Sequence, residues 1–352
     1  MNFASDNVAG VAPEILAALS EANAGAAMPY GNDAVTRRLG AAFNALFERE
    51  VEIFPVATGT AANSLSLALM TPPYGAVYCH PDSHINQDEC GAPEFYTGGA
   101  KLVPVPGAHG KIAPAALEGA LAAAGKGVVH HVQPAALSLT NETEAGTVYR
   151  PAEVAALAEV AHGHGLLVHV DGARFANAVA ALGCAPAELA WRAGVDVMSF
   201  GASKGGALAA EAVVLFKRGL GDGLGFRRKR AGHLFSKMRF LSAQLEAYLA
   251  DDLWLRNARH ANAMARRLAD GLARLPGVEL VHPVEANEIF ARIPDAAIRG
   301  AFADGFTFYR WAEEGARAVC RLVTAFDTRA EDVEGLLASL TRHAAPAVPQ
   351  RA

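Results

Sequence analysis

The apolar positions between Val51 and Phe216 alternate between two patterns. Short runs rich in β-branched residues are separated by alanine-rich stretches with apolar residues at helical spacing, as in Val154, Leu157 and Ala161. This alternation is typical of a mostly parallel sheet wrapped by helices. We predict seven strands in one large sheet, near Glu52–Val56, Ala76–Cys79, Lys101–Val105, Gly127–Val132, Leu166–Val170, Val195–Ser199 and Ala212–Phe216.

A different pattern begins after Phe216. The glycine-rich segment Gly219–Gly225 leads into the basic run Arg227–Arg230 and a long helical region that reaches about Leu275. We therefore predict a large domain of residues 1–250 and a smaller α+β domain of residues 251–352. The predicted elements of the smaller domain are strands at Val278–His282, Ile289–Ile293 and Ala318–Thr324, a helix from Ala330 to about Arg342, and a frayed end at Ala344–Ala352.

The composition excludes several classes of partner. The chain carries 36 acidic and 31 basic side chains, a net charge of −5, which gives no electrostatic footprint for nucleic acid or an anionic membrane. The longest stretch without acidic or basic side chains, Ile53–Pro81, is broken by Pro55 and Pro72, unlike a membrane span. The first residues lack the pattern of a signal peptide, and the four cysteines show no zinc or disulfide spacing. We expect a cytoplasmic protein without a metal site.

Two predicted strands are each followed by a residue that could act in catalysis or cofactor binding. Leu166–Val170 is followed by Asp171, and Val195–Ser199 is followed by the small-residue segment Gly201–Gly206, which contains Lys204. Parallel sheets bind ligands at the carboxyl ends of their strands, so both side chains are predicted at one site. Among the seven lysines, Lys204 is the one that combines a strand-end position with small neighbours.

A third feature follows the first strand. Thr58-Gly59-Thr60 opens an apolar helix, and hydroxyls and N–H groups at a helix N-terminus can bind phosphate. Together these features match the needs of pyridoxal phosphate: Lys204 for a Schiff base, Asp171 to keep the pyridine nitrogen protonated, and the helix terminus for the phosphate. Each feature alone has an ordinary alternative, namely a capped turn, a capping aspartate or a solvated lysine. Their joint order favours the cofactor site.

The chain resembles the low-specificity L-threonine aldolases, which are fold-type I pyridoxal-phosphate enzymes of the aspartate-aminotransferase-like class. The resemblance covers nearly the whole chain, and His169–Arg174 is its most specific motif. The other matching segments are Phe3–Asn7, Tyr30–Asp33, Thr58–Asn63, Ser83–Asn86, Glu89–Ala92, Ser203–Gly205 and Arg321–Thr324. The resemblance implies cleavage of L-threonine and related β-hydroxy-α-amino acids to glycine and an aldehyde. Composition and periodicity alone indicate only a cofactor-dependent α/β enzyme.

The resemblance also implies roles for single residues. His84 matches a histidine that stacks on the pyridine ring and has been considered a proton carrier. Arg174 matches an arginine that faces cofactor and substrate, and Arg321 one that holds the substrate carboxylate, which suits its planar, permanently charged fork. Ser5 resembles a residue at the substrate carboxylate, and Ser203 could contribute a hydroxyl near the phosphate.

The chain departs from the family pattern in two places. Where many members have a Thr-His pair near the substrate hydroxyl, this chain has Thr140-Asn141. His130 or His131 could supply the missing imidazole, although a histidine pair at a strand end is as often structural, so the base stays open between these two and His84. Past the last motif Ala325-Phe326 stands where a histidine is common, and a wider apolar pocket would follow if Phe326 faces the site.

The resemblance further implies a homotetramer, a dimer of dimers with shared active sites. In the family the region of Arg227–Arg230 lies at a subunit interface, and a cationic residue there reaches the neighbouring subunit's cofactor phosphate. Arg228 or Lys229 fits that role best, and Tyr30 is expected to contact the substrate. A solvated charged surface is the alternative for the basic run.

Two other functions remain open at this stage. One fold hosts many chemistries, so the same cofactor could support transamination or β-elimination. The chain could also be a non-catalytic ligand-binding protein on this scaffold, although an intact Asp171 and Lys204 argue against that reading.

Overall fold

The computed structural model describes residues 1–344, so residues 345–352 of the predicted frayed end lie outside the described part. The strands are β1 Glu52–Val56, β2 Gly75–Cys79, β3 Lys101–Pro104, β4 Gln133–Thr140, β5 Leu167–Gly172, β6 Val197–Gly201, β7 Glu211–Leu215, β8 Glu279–Leu280, β9 Glu288–Pro294, β10 Tyr309–Glu314 and β11 Arg317–Val323. The helices are α1 Pro13–Ala22, α2 Ala34–Phe47, α3 Gly59–Met70, α4 His84–Gln87, α5 Ala92–Thr97, α6 Pro114–Ala122, α7 Pro151–Gly163, α8 Phe175–Leu182, α9 Leu224–Arg230, α10 Arg239–Leu249, α11 Leu253–Leu272, α12 Asp295–Ala303 and α13 Ala330–Ala344. Within the described residues no helix is long and apolar enough to cross a membrane.

The large sheet confirms the predicted fold class. Its strand order is β1-β7-β6-β5-β4-β2-β3, and only the pairs that involve β7 are antiparallel. The central strands read as continuous apolar runs because both faces of the sheet are covered. Most predicted strands agree with the observed ones to within two residues at either end.

The predicted strand Gly127–Val132 is wrong. These residues form turns ahead of β4, and the three valines behind the prediction are exposed, Val129 to 92%. Gly127 has a positive φ of 85°, which ends any extended run there. Gln133 ties the turn together, since its side chain accepts from Gly127 N (2.8 Å) and donates to His131 O (2.9 Å).

The smaller sheet has the strand order β10-β11-β9-β8 and is antiparallel throughout. The sequence predicted three of its strands but missed β10, because that edge strand is exposed along nearly its whole length and shows no apolar alternation. Helix α11 joins the two apolar cores, with Trp254 in the first and Leu268 in the second. The boundary at residue 250 stays a prediction.

The site forms because several strand ends coincide. Thr140 of β4 pairs with Asp171 of β5, which in turn pairs with Ser199 of β6. These strands are parallel, so their carboxyl ends open on the same edge of the sheet. The turn Ser203–Gly205 that follows β6 therefore lies beside Asp171.

Gly205→Ala is expected to destabilise the fold by about 1–3 kcal/mol, because overpacking a filled core costs that much. A Cβ on Gly205 would lie 2.0 Å from Tyr248 Oη, and Tyr248 is buried. The control is Gly119→Ala on α6, where a Cβ meets nothing within 4 Å. Urea unfolding of both variants checks the prediction, and equal stability of the two would contradict it.

Candidate active site

A cavity of about 370 Å³ opens at the carboxyl edge of the large sheet. Its walls come from the ends of β4 and β5, the start of α3, helix α4 and the turn after β6. The predicted site residues that line it are Thr58, Gly59, Thr60, His84, Asp171, Arg174, Ser203 and Lys204. The structure thus brings the three features found in the sequence to one place.

The start of α3 forms an anion-binding corner of this cavity. Thr58 is the N-cap, and its hydroxyl accepts from Ala61 N at 3.2 Å. The N–H groups of Gly59 and Thr60 have no acceptor within the helix, and the helix dipole favours an anion there. A Cβ on Gly59 would meet nothing within 4 Å, so the backbone is open to close approach.

Asp171 is fixed by two donors. Asn63 Nδ2 donates to Asp171 Oδ2 at 2.7 Å, and Ala173 N donates to Oδ1 at 3.0 Å. Asn63 Nδ2 also donates to Glu89 Oε1 at 2.8 Å, which in turn contacts His84 Nδ1 at 2.8 Å. The hydrogen bond to Glu89 raises the pKa of His84. This chain of contacts holds the imidazole and the carboxylate in a fixed relation across the cavity.

Strand β5 also contains a histidine, His169, and this histidine is neutral. His169 is fully buried between Ser138 Oγ (2.9 Å from Nδ1) and Ser199 Oγ (3.0 Å from Nε2). Burial lowers the pKa of His169 to about 4, although the charge of Asp171 opposes the shift. Asp171 is the carboxyl group that β5 presents to the cavity.

Lys204 lies on the short turn after β6 and lines the cavity. Its neighbour Ser203 is tied to the start of β7, since Ser203 N donates to Glu211 Oε1 and Ser203 Oγ accepts from Ala210 N, both at 3.3 Å. Burial raises the pKa of Glu211 to about 7. Asn257 Nδ2 donates to Gly205 O at 2.8 Å, so the turn is anchored on both sides of Lys204, which limits the positions its amine can take.

Arg174 faces two carboxylates at once. Its Nε and Nη2 donate to Asp6 at 2.7 and 3.0 Å, and its Nη1 lies 2.7 Å from Glu288 Oε2. Burial alone would raise the pKa of Asp6, but the charge and hydrogen bonds of Arg174 outweigh it and lower the pKa. Burial and the charge of Glu288 raise the pKa of Glu142 well above its usual value.

Comparison with known proteins agrees with this geometry. The sequence model of the beta-eliminating lyase family matches residues 2–296. The chain is also 46% identical, over 95% of its own length and 95% of the other protein, to a low specificity L-threonine aldolase of Pseudomonas aeruginosa. The chain belongs to the low-specificity L-threonine aldolase family.

Two further comparisons extend this aldolase-family relationship. A low specificity L-threonine aldolase of a Pseudomonas species is 43% identical, with 96% of each chain covered. A solved threonine aldolase structure from Leishmania major superposes with a TM-score of 0.92 at 28% identity, covering 98% of this chain and 99% of that one.

Two of the predicted substrate residues of this aldolase-family chain, Ser5 and Arg321, lie beside the cavity rather than in its lining. Arg321 Nη2 donates to Ala4 O at 3.0 Å, and its Nε lies 3.7 Å from Glu288 Oε1. Ser5 caps the turn Asp6–Val8 by accepting from Asn7 N. The N-terminal segment therefore connects Ser5, Arg321 and the Arg174 cluster.

The structure does not bring His131 to the site. Because β4 begins only at Gln133, His131 precedes that strand and lies at the amino edge of the sheet, where its Nδ1 contacts Ala124 O at 3.1 Å. The prediction misplaced this histidine because it took Gly127–Val132 as the strand. Phe326 also stays outside the cavity lining and packs against Gly206.

Tyr30 and Arg228 lie away from the cavity of their own chain. Arg228 Nη1 donates to Pro55 O at 3.2 Å, and burial lowers the pKa of Arg228. Lys229 Nζ lies 4.8 Å from the centre of the Tyr30 ring. Contacts within one chain do not test the roles that we predict for these residues toward a neighbouring subunit, so those roles stay predictions.

Several residues around the cavity were not predicted from the sequence. They are Asp6, Asn63, Glu89, Glu142, Glu144, Glu211 and Glu288. Asp6, Asn63 and Glu89 lie inside motifs that carry the resemblance, but no role was predicted for them. Glu142 and Glu144 follow a strand end, which is a usable signal, whereas nothing in the sequence pattern pointed to Glu211 or Glu288.

Proposed function

We propose that this chain is a pyridoxal-phosphate-dependent aldolase that cleaves L-threonine and related β-hydroxy-α-amino acids to glycine and an aldehyde. One observation carries the proposal: Asp171, Lys204 and the N-terminus of α3 line one cavity. The 46% identity to a low specificity L-threonine aldolase supports the same reaction.

Pyridoxal 5'-phosphate is the cofactor of this family, and the cavity residues fit it. Lys204 provides the amine for covalent attachment, and Asp171 the carboxylate for the pyridine nitrogen. The free N–H groups and the open space beside Gly59 suit the phosphate, with Thr58 and Thr60 supplying hydroxyls. When bound, the cofactor supplies an electron sink for the bond that breaks at Cα.

Arg174 and Arg321 have different roles in this proposal. Arg174 is occupied by Asp6 and Glu288, so it holds the N-terminal segment in place and helps to set the electrostatics of the cavity. Arg321 has donors left, since its buried Nε has no hydrogen-bond partner among the described residues. We assign the substrate carboxylate to Arg321, with Ser5 beside it. Fixing the carboxylate orients the Cα–Cβ bond for cleavage.

His84 covers the cofactor ring in this proposal. Its side chain is 41% exposed, and its hydrogen bond to Glu89 fixes one edge of the ring, so the other edge and the flat face remain for cofactor and substrate. Asn63 donates to both Glu89 and Asp171, so the position of the imidazole is fixed relative to Asp171.

Incubation of the purified holoenzyme with L-threonine, with and without a keto acid, tests the function. Aldol cleavage predicts equal amounts of glycine and acetaldehyde without any acceptor. Glycine formation that requires the keto acid would indicate transamination, ammonia release would indicate elimination, and absence of any turnover or cofactor absorbance would support a non-catalytic protein.

Shared active sites in a homotetramer belong to the same proposal. The surface around Tyr30 is apolar and open, with the Phe226 side chain 85% exposed. Mixing a Lys204→Ala chain with an Arg228→Ala/Lys229→Ala chain is expected to regenerate some wild-type-like sites, because an isologous pair builds two sites at once. Steady-state assays of the mixture check this, once the double variant alone has proved impaired.

A protein that sediments as a fully active monomer would contradict shared sites. In that case Arg227–Arg230 would be interpreted as a solvated charged surface. A cytoplasmic location also remains part of this proposal, and fractionation of the source cells would check it.

A further inference from the structure

A glutamate on the wall of the cavity has no role in the proposed function so far. Glu144 follows the end of β4, and it lines the cavity together with Asp171 and Lys204. His84 N and Thr140 Oγ1 both donate to its Oε1, each at 2.8 Å. Neither donor reaches Oε2, so that oxygen is available to a ligand in the cavity.

The surroundings of Glu144 are those of a proton acceptor. Burial and the charge of Asp171 raise the pKa of Glu144 to about 7, against the hydrogen bonds that favour the carboxylate. Cys79 at the end of β2 and the buried Tyr149 are near enough to feel its charge, and neither is a cation. A base works best when its pKa lies near the working pH.

The other candidate bases are engaged elsewhere. His131 lies at the opposite edge of the sheet, and His84 Nδ1 is held by Glu89. Glu142 faces Glu288 and Arg174, and Glu211 accepts from the backbone of the turn that carries Lys204. Glu144 has one oxygen without a hydrogen-bond donor among the described residues, and no cation contacts it there.

We propose that Glu144 is the general base that takes the proton of the substrate's β-hydroxyl group, an inference that rests on the proposed aldol cleavage. As the Cα–Cβ bond breaks, its electron pair stays on the Cα side and the O–H pair becomes the second bond of the aldehyde C=O. Glu144 accepts the proton and becomes the neutral acid. Glu144 then releases this proton to water, and water supplies the proton that ends on Cα of glycine, so the reaction balances.

Glu144→Gln is expected to lower kcat/KM for L-threonine cleavage by about 10²–10⁴-fold, the usual contribution of a positioned base. Two properties that need no hydroxyl base should stay unchanged: the glycine dissociation constant from titration of the cofactor absorbance, and deuterium exchange at glycine Cα followed by NMR. The matched control is Glu159→Gln on the exposed face of α7, which should match the wild type throughout.

The pH profile separates a base from a structural residue. Since the base acts as the carboxylate, kcat/KM should rise with pH through about 7 and then level off. The Thr140 hydroxyl stabilises the charged form of Glu144, so Thr140→Val should move this inflection to higher pH by about one unit. The inflection should be absent in Glu144→Gln.

Three results would overturn the inference. Wild-type cleavage by Glu144→Gln would remove Glu144 from the reaction, and an equal loss of cleavage and glycine exchange would make its role structural. An unshifted inflection in Thr140→Val would assign the titration to another group. Failure of the wild-type enzyme itself to cleave threonine would instead overturn the proposed function, and this inference with it.

Discussion

Lys204→Ala is expected to abolish threonine cleavage, with kcat/KM falling on the order of 10⁴-fold or more, as happens when an enzyme loses its covalent nucleophile. The turn that carries Lys204 is anchored at Ser203 and packed by Gly205 against Tyr248, and no other lysine lines the cavity among the described residues. The variant should also lose the absorbance of the covalently attached cofactor. Steady-state kinetics and a spectrum of the purified protein measure both effects.

Lys126→Ala is the matched control for this prediction. Lys126 is also flanked by glycines, but it precedes β4 at the opposite edge of the sheet, where its Nζ donates to His164 O. The control should keep full activity and the wild-type spectrum. Substantial turnover by Lys204→Ala, with the absorbance retained, would show that Lys204 does not carry the cofactor.

Asp171→Asn is expected to lower kcat by at least about 10²-fold, because a charge placed in advance contributes several kcal/mol to a transition state. The negative charge raises the pKa of the pyridine nitrogen and keeps the ring protonated. The asparagine keeps the shape of the side chain, and Ala173 N can still donate to its amide oxygen. The loss should therefore fall on kcat more than on protein stability.

The control for Asp171 is a second buried carboxylate of the same sheet. Asp196 Oδ2 accepts from Val168 N and His162 Nε2, both at 2.9 Å, at the amino edge away from the cavity. Asp196→Asn should lower the free energy of unfolding but leave kcat unchanged. Near wild-type kcat in Asp171→Asn would remove Asp171 from the mechanism.

The large sheet was predictable because its strands are buried on both faces and read as apolar runs between helical stretches. The prediction failed where the apolar sequence pattern does not correspond to buried residues. Val128 and Val129 are β-branched but exposed in a turn, which misplaced β4 and with it His131. β10 is a strand without a buried face, so its sequence carries no alternation to detect.

The candidate site was predictable where each residue stands next to a strand or helix end that the local sequence pattern indicates. Asp171 and Lys204 each follow a strand, and Thr58 opens a helix, so local pattern and sheet geometry were enough to group them. The Arg174 cluster could not be found this way, because Asp6 and Glu288 meet it from opposite ends of the chain. Contacts of that sequence separation leave no local signal.

The attachment point of the cofactor is the measurement that tests the account most directly. Borohydride reduction of the purified holoenzyme fixes the cofactor to its lysine, and peptide mapping by mass spectrometry then identifies that residue. The account predicts a single modified peptide with the label on Lys204. A label on any other lysine, or a holoenzyme that borohydride leaves unlabelled, would contradict it.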